Sequence, residues 1–260
     1  MRTSMFSAAV LAAIFVAGPV RADDDAKKII QDAVKALGGA DVLAKHFGKG
    51  IVQNGKIHVS AGGMDLDGTM EVSTQGGKFQ RKIKISVMGT DVAQTTVFNG
   101  ETLWIATNGT ISNTIDKKED VALIKESIYG DEALNRVLRG DAGFKLSIIG
   151  DDKVDDNPVV GVRISSEGHK DISVYFDKKT HLVRKVVGRG LDVQSQMEVE
   201  SERILDNYKE VDGQMRPMHA IVNQDGKKLI EIEFTDAKYV EKLDDGAFAK
   251  PKEGADGENP

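Results

Sequence analysis

The side chains best suited to chemistry in this sequence are five histidines, and their spacing does not assemble a site. They are His46, His58, His169, His181 and His219. None has the short HxH or HxxxH spacing that brings two imidazoles to one metal ion. The two that flank one predicted strand, at positions 169 and 181, could meet through a hairpin, but no carboxylate pattern accompanies them. We therefore predict no metal site and interpret the histidines as residues of loops or strand surfaces.

The sequence also contains no pattern that indicates a catalytic nucleophile or a phosphate-binding loop. The chain has no cysteine, which excludes disulfides, thiol catalysis and thiolate metal ligands. No serine lies in a G-x-S-x-G motif. The glycine pairs do not stand between a strand and a helix, where a phosphate-binding loop requires them. The sequence thus predicts no catalytic residue and no cofactor, and we expect a protein that is not an enzyme.

Composition and charge narrow the class of protein. The chain has 260 residues, of which 40% are hydrophobic, enough for a substantial core. Its net charge of −6 disfavours a nucleic-acid-binding surface, which would need a basic face. Arg2, an apolar run and Ala22 at the end give residues 1–22 the pattern of a cleaved signal peptide. We therefore expect a periplasmic or otherwise exported protein; an uncleaved anchor is the alternative.

The elements that must position any site are mostly strands. From Ile51 onward apolar and polar residues alternate with period two, broken by turn residues, and predict about ten or eleven antiparallel strands. Helical periodicity occurs from Asp23 to the stop at Gly38-Gly39, and again in residues 116–140, where it predicts two short helices. Residues 23–250 are thus predicted to form one mainly β (α+β) domain. Residues 251–260 are predicted to be a disordered tail.

An antiparallel sheet with one apolar face has to cover that face, and the predicted helices are the candidates. If space remains beneath them, the sheet and helices enclose an apolar cavity. Alternation predicts as its walls Phe79, Ile83, Ile85, Val87, Trp104, Val162, Ile164, Val174 and Phe176. Helical spacing predicts as its lid Ile29, Ile30, Val34, Leu37, Leu123, Ile124, Ile128, Leu134 and Leu138.

The second half of the chain carries a recognisable series of structural motifs. A hydrophobic strand ends in Asp177 and is followed by a turn with Thr180 and a return strand. A strand with Gly213 and Pro217 then pairs with a polar-turn hairpin. The closing Asp-Asp-x-x-Phe-x-x-Pro pattern is Asp244, Asp245, Phe248 and Pro251. In this order the motifs resemble the closing half of the LolA/LolB-like lipoprotein-carrier superfamily; the Phe79 strand and the Trp104 hairpin agree with its first half more loosely.

This resemblance implies a strongly curved, incompletely closed antiparallel half-barrel, with helices over an apolar cavity that holds acyl chains. It implies a cell-envelope protein that binds or carries a lipid, another hydrophobic small molecule or lipoprotein acyl chains without chemical turnover. Membrane-associated donor and acceptor proteins would be its partners, and we expect a monomer. The alternative is an interaction or sensor module of the same fold with a filled interior. The arginine that tethers the lid in the lipoprotein carrier is not matched here, where Arg81 follows Phe79.

Overall fold

A computed structural model describes residues 20–61, 64–192 and 197–252 of the chain. Its helices are α1 (Val20–Ala36), α2 (Ala40–His46) and α3 (Lys118–Leu138), with a short 3-10 helix at Asp245–Phe248. Its strands are β1 (Gly50–Ala61), β2 (Met64–Gln75), β3 (Lys78–Val87), β4 (Thr90–Phe98), β5 (Leu103–Thr107), β6 (Thr110–Ile115), β7 (Phe144–Val154), β8 (Asn157–Ser166), β9 (Ile172–Asp177), β10 (Val183–Asp192), β11 (Met197–Val211), β12 (Gln214–Gln224) and β13 (Lys227–Val240). Most of the predicted signal peptide (residues 1–22) and of the predicted tail (residues 251–260) lies outside these residues.

All of these strands belong to one antiparallel sheet with the order β6-β5-β4-β3-β2-β1-β13-β12-β11-β10-β9-β8-β7. Each half of the chain forms a meander, and the pairing of β1 with β13 joins the two halves. The sheet is not closed into a barrel, since β6 and β7 form its two edges in the described part of the chain. The prediction of an incompletely closed, curved antiparallel sheet is therefore confirmed.

The curvature has a local cause in the irregular pairing of several strands. The register of β1 against β13 shifts between Asn54 and Gly55, which places an extra residue on β13. Such bulges bend the strand and increase its twist. A side chain at Gly55 would place its Cβ only 2.6 Å from the carbonyl oxygen of Glu233. Glycine is therefore what allows the two backbones to approach at this bend.

Two details of the sequence interpretation are corrected. The sheet has 13 strands instead of ten or eleven, because short strands such as the five-residue β5 merge with their turns in an alternation pattern. The two short central helices are one helix, α3, of 21 residues. Gly130 does not end it, because this glycine is buried where the helix passes close to Ile172 of β9. The helix tolerates the cost of an interior glycine, about 1 kcal/mol, in return for that approach.

The helices cover only part of one face of the sheet. Helix α1 packs on β7 and α3, and α3 packs on β10. The buried residues beneath them form what we name the C-terminal cluster: Ala26, Ile30, Ala33, Leu37, Leu43, Tyr129, Ala133, Leu134, Val137, Leu138, Val162, Ile164, Ile172, Val174, Phe176, Val183 and Val186. The first half of α3 contributes to a smaller N-terminal cluster of Phe98, Leu103, Ile115, Val121 and Ile124. Helix α3 therefore spans two separate cores.

Candidate functional site

Between these two cores, in the order of the strands, lies a third apolar group on β1, β2, β3 and β13, which we name the floor strip. Its buried members are Ile57, Met70 and Ile83, and its half-buried members are Val59, Val72, Ile85, Ile230, Ile232 and Phe234. The register sets Ile57 beside Ile232 and Met70 beside Ile83, so these side chains share one face. No residue of a helix belongs to this group among the described residues.

The predicted cavity walls divide between the covered and the uncovered parts of the sheet. Val162, Ile164, Val174 and Phe176 are fully buried in the C-terminal cluster, in which helix side chains fill the space above them. Residues 83 and 85 lie in the floor strip. Phe79 packs against the N-terminal cluster. The half-buried Val87 ends β3 on the same face. Trp104 lies on the opposite face of β5, because its neighbour Leu103 points into the N-terminal cluster beside Phe98.

The predicted lid residues divide in the same way between the two cores that α3 spans. Ile30, Leu37, Leu134 and Leu138 are buried in the C-terminal cluster, and Ile29 and Val34 pack against it half-buried. In the N-terminal cluster Ile124 is buried, and Leu123 and Ile128 pack against it. Helix α3 is thus anchored at both ends, and the floor strip lies between the two anchoring clusters in the order of the strands.

An arginine–carboxylate pair fastens α3 to the sheet. Arg203 of β11 lies on the helix-bearing face, beside Val186 and Val222 in the register. Its Nη1 donates to Oδ2 of Asp131 at 2.6 Å, and its Nη2 donates to the other carboxylate oxygen. Such a two-pronged pair fixes orientation as well as distance. The sequence interpretation found no lid tether near the Phe79 strand, and the structure has one on β11 instead.

A second arginine on the same face has no such partner. Arg81 lies on β3 between Phe79 and Ile83, and its neighbours across the sheet are Val72 and Thr96. Its Nε atom is buried and makes no hydrogen bond. Burial lowers the pKa of Arg81, because an apolar surrounding disfavours the charged form. Arg81 stands two residues from both Phe79 and Ile83, and side chains at this spacing lie on the same face of a strand. This alternation is the signal in the sequence that indicates that Arg81 lies on the inner face of the sheet.

The free spaces around the helices are small or open. A cavity of about 120 Å³ lies beneath α3 against β10 and β11, with Glu126, Ser127, Gly188 and Ser201 in its wall. It is smaller than the sites that enclose typical organic ligands. A shallow recess of about 600 Å³ is lined by Lys78, Asn99, Glu101, Lys125 and other residues, and its surface is mainly polar. Neither is an enclosed apolar cavity, so the uncovered floor strip is the main candidate surface for an apolar ligand.

The outer face of the sheet is polar and joined by ion pairs. His219 of β12 contacts Asp206 at 2.8 Å through Nδ1 and Glu231 at 2.9 Å through Nε2. Burial opposes protonation of this ring, but the two carboxylates outweigh it and raise the pKa of His219. His58 of β1 contacts Asp67 at 2.8 Å. Within the described ranges no group of three or more histidines and carboxylates could hold a metal ion.

Of the helices in residues 20–252 that the structure describes, none combines the length and the apolar character needed to cross a bilayer.

Known proteins share the fold of this chain at very low sequence identity. No protein-family model and no curated protein matches the sequence. A LolA superfamily protein of Nitrosomonas europaea is similar in structure, with a TM-score of 0.50 and 14% identity over 86% of this chain and 97% of that one. A DUF1329 family protein of Desulfovibrio piger gives a TM-score of 0.50 and 13% identity, again over 86% and 97%. The chain therefore has the LolA-like fold.

Proposed function

We propose that this protein binds an apolar chain, such as the acyl chain of a lipid or lipoprotein, on the floor strip. The observation that carries the proposal is that this strip is apolar and half-buried, lies on the helix-bearing face, and has none of the described helix residues packed into it. Soluble proteins leave such contiguous apolar surfaces open mainly where something binds. The LolA-like fold agrees with a carrier role that involves no chemical turnover.

Burial of apolar surface is sufficient to hold such a ligand. Each Å² of apolar surface removed from water contributes roughly 25 cal/mol. A ligand that covered the half-buried side chains of the floor strip and buried its own methylene groups would gain several kcal/mol. No catalytic group is needed for this. It agrees with a sequence in which we predict no nucleophile and no cofactor.

The tether between Arg203 and Asp131 suggests how a ligand would enter. Helix α3 is held over the sheet by its packing at both ends and by this exposed ion pair. Loss of an exposed ion pair costs little, about 1 kcal/mol or less. We infer that loss of this pair lets the first half of α3 lift, while its second half, in which Tyr129, Ala133 and Leu138 are buried, stays docked in the C-terminal cluster. Together with the proposed signal peptide at residues 1–22, this describes an exported, monomeric carrier that exchanges its ligand with membrane-associated partners.

A second candidate function is an interaction module that uses the outer surface and no ligand. It is favoured by the C-terminal cluster, where several of the predicted wall and lid residues pack against one another. The small volume of the cavity under α3, about 120 Å³, favours it as well. Under this alternative the protein would carry no lipid after purification.

Binding of an uncharged, fluorescent long-chain alcohol tests the proposal. We expect saturable binding by the wild type, and recovery of lipid by mass spectrometry from the protein purified from cells. Ile85→Trp should block the floor strip and weaken binding by about tenfold or more, because a bulky ring would occupy the surface that the chain needs.

The matched control for this experiment is Lys84→Trp, which places the same ring on the outer face of the same strand. It should bind the alcohol as the wild type does. Absence of bound lipid together with no uptake of the alcohol would reject the proposal and favour the interaction module. Equal weakening by both tryptophan variants would reject the floor strip as the binding surface.

A further inference from the structure

Arg81 is an unpaired charge set into an apolar surface. It stands on the helix-bearing face of β3, and its neighbours on the sheet are Phe79 and Ile83 along the strand and Val72 and Thr96 across it. None of these four carries a negative charge. Arg81 also lies at one end of the floor strip, next to Phe79, which packs against the N-terminal cluster.

The other arginines with described side chains all have partners. Arg136, Arg139, Arg163, Arg184, Arg189 and Arg203 each face a carboxylate, and Arg216 donates to the hydroxyl of Tyr239. Among the described arginines, Arg81 alone makes no hydrogen bond or ion pair, and its Nε is buried. A partly desolvated cation without a counter-ion is costly. A site that contains such an unpaired cation is suited to an anionic ligand.

We propose that the ligand is a long-chain fatty acid whose carboxylate pairs with Arg81 while its chain lies along the floor strip. This inference rests on the proposed function and identifies the class of ligand. The guanidinium fork matches a carboxylate in shape. From Arg81 past the floor strip residues Ile83 and Ile85 to Val87, which ends β3 on the same face, the strand rises by roughly 20 Å at about 3.3 Å per residue. This path has the length of an extended acyl chain.

The charge balance favours a carboxylate over a phosphate. One unpaired guanidinium neutralises one negative charge, and a fatty-acid carboxylate carries one. A phosphate monoester carries about −1.5 to −2 near neutral pH. Because the side chains around Arg81 supply no second cation, the additional charge of a phosphate would remain uncompensated in an apolar surrounding. The carboxylate is therefore the headgroup that fits this site.

The test compares oleate with oleyl alcohol, which share a chain and differ in charge. Equilibrium binding of both would be measured on the wild type and on Arg81→Met, which keeps much of the length of the side chain and removes its charge. We expect Arg81→Met to bind oleate about 10- to 100-fold more weakly, the range for a hydrogen bond to a charged group. Its affinity for oleyl alcohol should be that of the wild type, which also shows that the variant is folded.

Two further variants serve as controls. Arg163→Met removes an arginine from the outer face of β8 and should leave oleate binding unchanged. Arg81→Lys keeps the charge but not the planar fork, so it should bind oleate with an affinity between those of the wild type and Arg81→Met.

Each remaining outcome contradicts a defined part of the inference. If the wild type binds oleyl alcohol, but Arg81→Met binds oleate as well as the wild type does, the role of Arg81 is wrong while the proposed function survives. If the wild type binds oleoyl lysophosphatidic acid more tightly than oleate, and Arg81→Met abolishes that preference, the headgroup is a phosphate and the carboxylate assignment is wrong. If the wild type binds neither oleate nor oleyl alcohol, the proposed function and this inference fail together.

Discussion

The C-terminal cluster and the floor strip are two parts of the same face of one sheet, and they differ in what covers them. Over the C-terminal cluster, α1 and α3 exclude water so completely that Val162 and Val174 are 0% exposed. Over the floor strip none of the described helix side chains joins the packing, and Val59 and Ile232 stay half-buried. The difference teaches that an apolar strand face is closed off completely where a helix is placed on it. Elsewhere the same alternation leaves part of the apolar surface open to solvent.

The two arginines on this face also differ according to whether a helix residue lies opposite them. Arg203 is held by Asp131 of the covering helix. Arg81, beside the floor strip, has no partner among the described residues. A charge beneath the helix thus holds α3 on the sheet, whereas the charge beside the open strip has no partner among the described residues, which is why we propose a ligand for it.

The largest expected difference in the free energy of unfolding comes from truncation of one side chain in the C-terminal cluster and one in the floor strip. Phe176→Ala removes a ring that is 1% exposed in the C-terminal cluster and should lower the free energy of unfolding by about 3–5 kcal/mol. Ile85→Ala in the floor strip removes a half-buried side chain and should cost about 1–2 kcal/mol. Urea unfolding followed by circular dichroism measures both. Equal losses would show that the floor strip is packed as tightly as the core.

Alternation in the sequence predicts which side chains of a strand share a face, but it does not predict which of these faces a helix covers. Val162, Val174 and Phe176 were placed on one face correctly, since period two is a property of each strand alone. Trp104 is also predicted as a wall residue, but it lies on the opposite face, and its neighbour Leu103 is the residue that points into the N-terminal cluster. Whether a wall is buried depends on where α3 lies, and that depends on contacts between distant segments, such as Gly130 with Ile172. No local pattern encodes such contacts.

Arg81 and Arg203 show the same limit for charged side chains. Both alternate with apolar residues, which indicates that they lie on the inner face. Their different roles arise from a helix residue, Asp131, that meets one and not the other. The sequence could therefore locate these charges on the face, but it could not tell which of them is satisfied within the chain.

Removal of the ion pair between Arg203 and Asp131 tests how firmly α3 is held on the sheet. Its expected effect on the free energy of unfolding is smaller. Asp131→Asn should lower the free energy of unfolding by about 1 kcal/mol or less, because the carboxylate is about half exposed. It should also speed amide hydrogen exchange in the middle of α3 more than in β8 and β9. Hydrogen exchange by mass spectrometry measures this. Combination with Arg203→Met in a double-mutant cycle isolates the pair; additive losses would mean that the two side chains do not act together.

The smallest expected effect comes from the outer face of the sheet around β12, where ion pairs are partly exposed. His219 is flanked by Asp206 and Glu231, with Arg184 beside the first and Lys228 beside the second. Because its pKa is raised in the folded state, its protonation stabilises the fold. That contribution is complete below the unfolded pKa of about 6.5 and is lost as the pH rises through the folded pKa.

Urea unfolding at about pH 5.5 and about pH 8.5 would detect this contribution as a lower stability at the higher pH, by less than about 1 kcal/mol. In His219→Asn this dependence should shrink, while the loss caused by Phe176→Ala should be the same at both pH values. The C-terminal cluster contains no charged residue, so its contribution has no reason to titrate. A wild type whose stability rose between the two pH values, with the rise abolished in His219→Asn, would show that the folded state favours the neutral ring.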